Sequence, residues 1–129
     1  MMNFFFNVPE INPDEVYKKL EQGDDIFLLD VREPDEFAYI RIENTTLIPK
    51  RSLETGSTAD FNHAASALGN AKQKEVIVIC RSGVRSLSSA KYLKDNGFAN
   101  VKSMRSGVIG WAQNGYPIAG NILQQSAIQ

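Results

Sequence analysis

Between Val76 and Ser86 a strand, a tight loop opening on a cysteine and a helix start follow one another without a spacer, and this run constrains the fold most. Val76-Ile77-Val78-Ile79 is apolar and β-branched, the mark of a short strand buried on both faces. Cys80-Arg81-Ser82-Gly83-Val84-Arg85-Ser86 is small, polar and cationic, and an amphipathic pattern begins near Leu87. That order puts Cys80 at the carboxyl end of a central strand and beside a helix N-terminus. Open α/β sheets bind ligands there, and the orphan N–H groups of a helix start favour an anion.

The other segments alternate in type. A lead-in over residues 1–9 carries Phe4, Phe5 and Phe6, which are expected to pack against the domain. Ile11 is assigned to a short first strand. Asn12 is placed as the N-cap of a helix, with Pro13 in its first turn and Glu15 closing a capping box. Val16, Tyr17 and Leu20 supply that helix's apolar stripe, and Gly23 ends it. Ile26 to Leu29 reads as a strand, Pro34 to Tyr39 as a short helix, and Thr45 to Ile48 as another strand before a surface loop over 50–57. Phe61, Ala64, Ala65 and Leu68 recur at helical spacing, with Ser57 or Thr58 as cap and Gly69 as terminator. The helix after the cysteine loop stops at Gly97, Val101 to Met104 forms a fifth strand, and Gly107 to Gln113 a last helix. A polar tail, expected to fray, covers 121–129. Strands alternating with helices predict a single α/β domain over residues 10–120 with a mostly parallel, five-stranded sheet.

A length of 129 residues suits one domain, and a net charge of −1 supplies no basic field for nucleic acid or anionic membrane. The Phe4–Phe6 run is too short for a signal-peptide core and lacks a basic flank, and no segment approaches a membrane span. The reading is a soluble, cytoplasmic protein with no nucleic-acid or membrane partner. Cys80 is the only cysteine, so an intramolecular disulfide and a thiolate-rich zinc site are excluded. No metal or other cofactor is expected.

A lone cysteine is ordinarily a buried packing residue. Here Cys80 ends its strand, Ser82 and Gly83 let loop amides turn inward, and Arg81 and Arg85 stand at the start of a helix. A cation there opposes the helix dipole by about 0.3–1 kcal/mol. The two together suggest a functional anion site whose field also favours the Cys80 thiolate. His63, the one histidine, falls on a different helix and is read as a surface residue. Two chemistries use such a loop: phosphate-ester hydrolysis through a phosphocysteine, and sulfur transfer through a cysteine persulfide. The phosphatase loop is Cys-x5-Arg after a histidine, whereas Cys80 to Arg85 is Cys-x4-Arg after Ile79. A cradle one residue shorter suits a single sulfur atom.

The chain resembles the single-domain rhodaneses, the thiosulfate sulfurtransferase family, in three ordered motifs. They are the loop from Cys80 to Ser86, Leu28-Leu29-Asp30-Val31-Arg32-Glu33-Pro34-Asp35-Glu36-Phe37, and Gly107-Val108-Ile109-Gly110-Trp111 followed by Gly115-Tyr116-Pro117-Ile118. The resemblance implies helices on both faces of the parallel sheet. It also implies a ping-pong cycle in which Cys80 carries sulfur as a persulfide. The amides of Arg81, Ser82, Gly83, Val84, Arg85 and Ser86 would hold it, while Arg81 and Arg85 attract an anionic donor such as thiosulfate. Asp30 would brace the loops, Arg32 would ion-pair with a carboxylate or touch substrate, and Trp111 would pack the domain. Two departures stand out: Arg41 occupies the place of a usual histidine, and Ser106 that of the first glycine before the last helix. The leading function is a sulfurtransferase using a small-molecule sulfur donor. The alternative is a sulfur-relay or binding module serving a partner protein's thiol or a carrier C-terminus. Phosphatase and arsenate reductase chemistry are disfavoured by loop length and the absence of a resolving cysteine.

Overall fold

The computed structural model describes residues 1–124. Its strands are β1 (Met2–Asn3), β2 (Val8–Ile11), β3 (Ile26–Asp30), β4 (Thr46–Leu47), β5 (Glu75–Ile79) and β6 (Asn100–Met104). They form one six-stranded sheet in the order β1-β2-β6-β5-β3-β4. The five expected strands are all present and pair in parallel, and the sixth, β1, adds antiparallel to β2. Sequence pattern missed β1 because two residues carry no alternation.

The sheet is accompanied by helices α1 (Pro13–Glu21), α2 (Pro34–Tyr39), α3 (Lys50–Thr55), α4 (Asn62–Asn70), α5 (Arg85–Asp95) and α6 (Gly107–Gln113). The stretch expected as a loop over 50–57 holds α3, a six-residue helix ended by Gly56 at φ 75°. Only Leu53 is buried in it, and one apolar residue shows no period. The helix expected to stop at Gly69 runs on to Asn70. Asn12 flanks α1 without a side-chain cap bond, so the capping box expected at Glu15 is not formed there. One forms instead at the start of α2, between Glu33 and Glu36.

Alternation along β5 divides the core. Val76, Val78 and Cys80 join Leu53, Leu68, Ala90 and Leu93 from α3, α4 and α5 on one face. Ile77 and Ile79 join Val16, Val108 and Trp111 from α1 and α6 on the other. Trp111 is packed as expected: its indole N–H donates to the Pro117 carbonyl at 2.8 Å, and its ring lies edge-on to Tyr17. Of the three N-terminal phenylalanines only Phe6 packs on the core, whereas Phe4 and Phe5 are 88% and 90% exposed at the β1–β2 turn. Four turn residues joining strands of two and four residues leave no length to fold both rings inward. Asn121 and Gln124 are tied by backbone hydrogen bonds, Asn121 to the Ala38 carbonyl, and the rest of the expected tail lies outside the described residues. Among the described residues no helix is long and apolar enough to cross a membrane.

Candidate active site

The parallel register aligns Asp30 with Ile79 and Ser103 with Val78, so β3, β5 and β6 end together at the carboxyl edge of the sheet. Cys80 leaves β5 at that edge and is 1% exposed. Its Sγ accepts a hydrogen bond from the Gly83 amide at 3.1 Å and donates to the Ser86 hydroxyl at 3.4 Å. Of the six loop amides expected around the sulfur, Gly83's is hydrogen-bonded to it. Gly83 has φ 94°, and a Cβ there would meet the Ser106 backbone nitrogen at 2.9 Å, so only glycine turns this amide inward.

Behind Ser86 lies a residue the sequence reading did not single out. The Ser86 and Ser103 hydroxyls are 2.7 Å apart, and both side chains are fully buried. Two hydroxyls in series can reorganise with the sulfur. When Cys80 is a thiol, its proton points to Ser86 and that of Ser86 to Ser103. When it is a thiolate, the Ser86 proton turns to Sγ and the Ser103 proton satisfies Ser86. A charge-assisted bond thus replaces a weak one, and the Ser103 proton gains an acceptor in Ser86. The signal available beforehand was a serine two positions after Val101, on the face that strand alternation turns inward while Lys102 turns out.

The two loop arginines part ways. Arg85, the first residue of α5, makes a bidentate ion pair with Glu36, both N···O distances being 2.8 Å. The Arg85 guanidinium holds the Glu36 carboxyl well below its usual range, from 4.5 to about 2, and the Glu33 amide adds to this. Glu36 in turn holds Arg85 more firmly protonated. Arg85's place at the dipole-opposed end of α5 therefore has a structural explanation: a carboxylate from α2 neutralises it. Arg81 is exposed, and among the described residues its guanidinium has no hydrogen-bond or ion-pair partner. Ser82 and Val84 are exposed on the loop's outer side.

Asp30 and Arg32 act behind this layer. Arg32 Nη2 lies 2.8 Å from Asp30 Oδ2, with side chains 2% and 0% exposed. Nε bonds the same carboxylate, Nη2 also reaches the Ile40 carbonyl at 2.7 Å, and Nη1 reaches that of Glu36 at 3.4 Å. Arg32 thus takes the ion-pair option, with Nε and Nη2 committed inside the protein. Asp30 braces the site indirectly: it fixes Arg32, Arg32 fixes the carbonyl end of α2, and α2 presents Glu36 to Arg85. Arg41, in place of a histidine, lies over the Phe37 ring at 5.3 Å and donates to the Phe37 carbonyl at 3.3 Å. It caps the last turn of α2, where a cation is favourable. His63 is exposed on α4, as expected.

The start of α6 closes the loop from the other side. The amides of Val108 and Ile109 donate to the carbonyls of Cys80 and Arg81 at 2.9 and 3.1 Å. A Cβ on Gly107 would lie 2.4 Å from both carbonyl oxygens, so this approach requires glycine. Ser106, the second departure, takes the left-handed conformation at φ 59°, directly before Gly107 at φ 55°.

A family model, Rhodanese-like domain, matches residues 12–114. Over 111 residues the chain is 30% identical to a protein of Allochromatium vinosum named sulfurtransferase, a match covering 86% of this chain and 94% of the relative. Over 110 residues it is 33% identical to the thiosulfate sulfurtransferase GlpE of Actinobacillus succinogenes, covering 84% and 88%. The crystal structure of a rhodanese-related protein from Thermoplasma volcanium superposes with a TM-score of 0.69 at 28% identity, covering 86% of this chain and 97% of that one.

Proposed function

The chain belongs to the rhodanese-like family of sulfurtransferases, and on that premise we propose that it moves a sulfane sulfur from a small anionic donor such as thiosulfate to a nucleophilic acceptor through a persulfide on Cys80. The observation that carries this reading is the cradle of Cys80. Cys80, 1% exposed, has its sulfur between one inward amide and one hydroxyl, two groups that support a thiolate there.

In the first half-reaction the Cys80 thiolate attacks the outer sulfur of thiosulfate. The donor's S–S bond breaks and sulfite leaves with the electron pair, giving the Cys80 persulfide. In the second, an acceptor nucleophile attacks the terminal sulfur, the new S–S bond breaks, and the Cys80 thiolate returns. Cyanide as acceptor gives thiocyanate; a thiolate, on a small molecule or a partner protein, gives a persulfide. Gly83 N–H and the Ser86 hydroxyl face the sulfur that carries charge at the start and end of each turnover. Arg81 is the cation free to meet the donor's oxygens. Arg85 contributes positive field while paired with Glu36.

The test is intact mass after incubation with thiosulfate. Addition of one sulfur, removed by cyanide and abolished by Cys80→Ser, is the expected result. An unchanged mass together with hydrolysis of p-nitrophenyl phosphate would overturn the reading. Rapid transfer to one co-purifying protein, with slow turnover on small thiols, would identify that protein's thiol as the acceptor.

A further inference from the structure

Among the described residues the two most exposed large apolar side chains are neighbours. Phe4 and Phe5, 88% and 90% exposed, project from the turn between β1 and β2. Several contacts fix that turn. The Phe6 amide donates to Asn3 Oδ1 at 3.0 Å, Asn7 takes a left-handed conformation at φ 55°, and Lys94 Nζ donates to the Asn7 carbonyl at 2.8 Å. Phe6 packs on the core and meets the Phe5 ring edge-on, the ring centres 5.0 Å apart, so the tip is tied to the domain. Because β2 runs parallel to β6, and β6 to β5, a turn that precedes β2 lies at the amino edge of the sheet. Cys80 follows β5 at the carboxyl edge, so the sulfur chemistry makes no use of this tip.

The lysines on this side of the amino edge fall into two groups. Lys91 is matched by Asp95, and Lys102 by Glu75. Lys94 and Lys72 are exposed and have no carboxylate partner among the described residues. They stand together: the Gly97 amide donates to the Lys94 carbonyl, and Lys72 Nζ is 3.5 Å from the place of a Gly97 Cβ. With a net charge of −1 the chain has no general basic field, so attraction of anions here is local. Two phenylalanine rings offer roughly 300–500 Å², short of the about 800 Å² that each partner gives to a stable protein interface. A two-fold contact between copies would also use the same patch twice and set these lysines against their equivalents. A fluid lipid phase demands neither area nor matching shape. We propose that the Phe4–Phe5 tip is an interfacial anchor for an anionic bilayer: the two rings enter the boundary between headgroups and acyl chains, and Lys94 and Lys72 meet lipid phosphates. Attachment there leaves the Cys80 edge turned away from the membrane and open to solutes.

Sedimentation with vesicles of equal parts phosphatidylcholine and phosphatidylglycerol, at low salt, tests the anchor. The natural chain should pellet with them. Each ring is worth about tenfold in binding, so Phe4→Ser and Phe5→Ser combined should weaken it about a hundredfold. Both positions are exposed, so the double substitution leaves the fold in place. Each lysine is worth about fivefold at an anionic surface, so Lys72→Gln and Lys94→Gln combined should cost about twenty-five-fold there. On phosphatidylcholine alone the lysine variant and the natural chain should bind equally. Phe4→Trp should add emission that lipids brominated along the acyl chain quench, which separates insertion from adsorption by charge. No pelleting, pelleting that survives loss of both rings, or added emission that brominated lipid leaves unquenched would overturn the proposal. A dimer in ultracentrifugation that the two serine substitutions dissociate would overturn it too, assigning the tip to a second copy.

Discussion

Replacing Glu36 by Gln removes the carboxylate that holds Arg85 and leaves almost everything else in place. Glu36 Oε1 accepts the Glu33 amide at 3.0 Å in the capping box, and a glutamine keeps that acceptor. What is lost is the charge in the bidentate pair. A carboxyl held at about 2 against 4.5 corresponds to roughly 3.4 kcal/mol at most, taking 1.36 kcal/mol per unit. The Arg85 and Glu36 side chains are 38% and 27% exposed, so solvent screens the pair and the expected cost falls to about 1–2 kcal/mol. The sign follows from the depressed value. The stabilisation is fully present above the unfolded carboxyl's 4.5 and is lost as pH falls through about 2. Urea denaturation of Glu36→Gln at pH 7 should therefore show a loss of about 1–2 kcal/mol with an unchanged slope. The gap to the natural chain should narrow below about pH 4.5 and nearly close by about pH 2. A gap below about 0.3 kcal/mol at pH 7, or one of equal size at every pH, would refute the pairing as the source.

Ser103→Ala tests the hydroxyl relay. Losing the donor that satisfies Ser86 should slow iodoacetamide alkylation of Cys80 about fivefold near neutrality, one hydrogen bond's worth, with the deficit closing as pH rises. A deficit equal at all pH values would make Ser103 a packing residue only. Ser106→Gly relieves a left-handed serine, a cost of roughly 1–2 kcal/mol, against about 0.5–1 kcal/mol of added chain entropy. The variant should be stabilised by up to about 1 kcal/mol, with thermal melting some degrees higher, and a lower melting temperature would show that the Ser106 hydroxyl matters more than its backbone.

Elements made by neighbours in the chain were legible. The β5–loop–α5 run, the α2 start at Pro34 and the Gly97 terminus each depend on residues within a few positions, and each stands where periodicity and turn chemistry put it. Features made by register were not. Glu36 and Arg85 are 49 positions apart, and Ser86 and Ser103 are 17 apart on different elements. No local pattern joins either pair. Both follow from one fact of topology: parallel pairing of β5 with β3 and β6 brings Asp30, Ile79 and Ser103 toward a common edge. Short elements, α3 and β1, escaped for the opposite reason, because they are too brief to repeat anything.

The same distinction changes what the two loop arginines mean. Read along the chain, Arg81 and Arg85 are equivalent cations at a helix start, and both look like donor-binding groups. Asp30 anchors Arg32, Arg32 anchors α2, and α2 delivers Glu36 to Arg85, so one of the two is already neutralised within the protein. The free positive charge of the loop is thereby moved to Arg81, on the side facing α6. A donor steered by charge alone would need nothing more than a cation near Cys80. Pairing Arg85 with Glu36 leaves Arg81 as the loop cation that no carboxylate among the described residues neutralises.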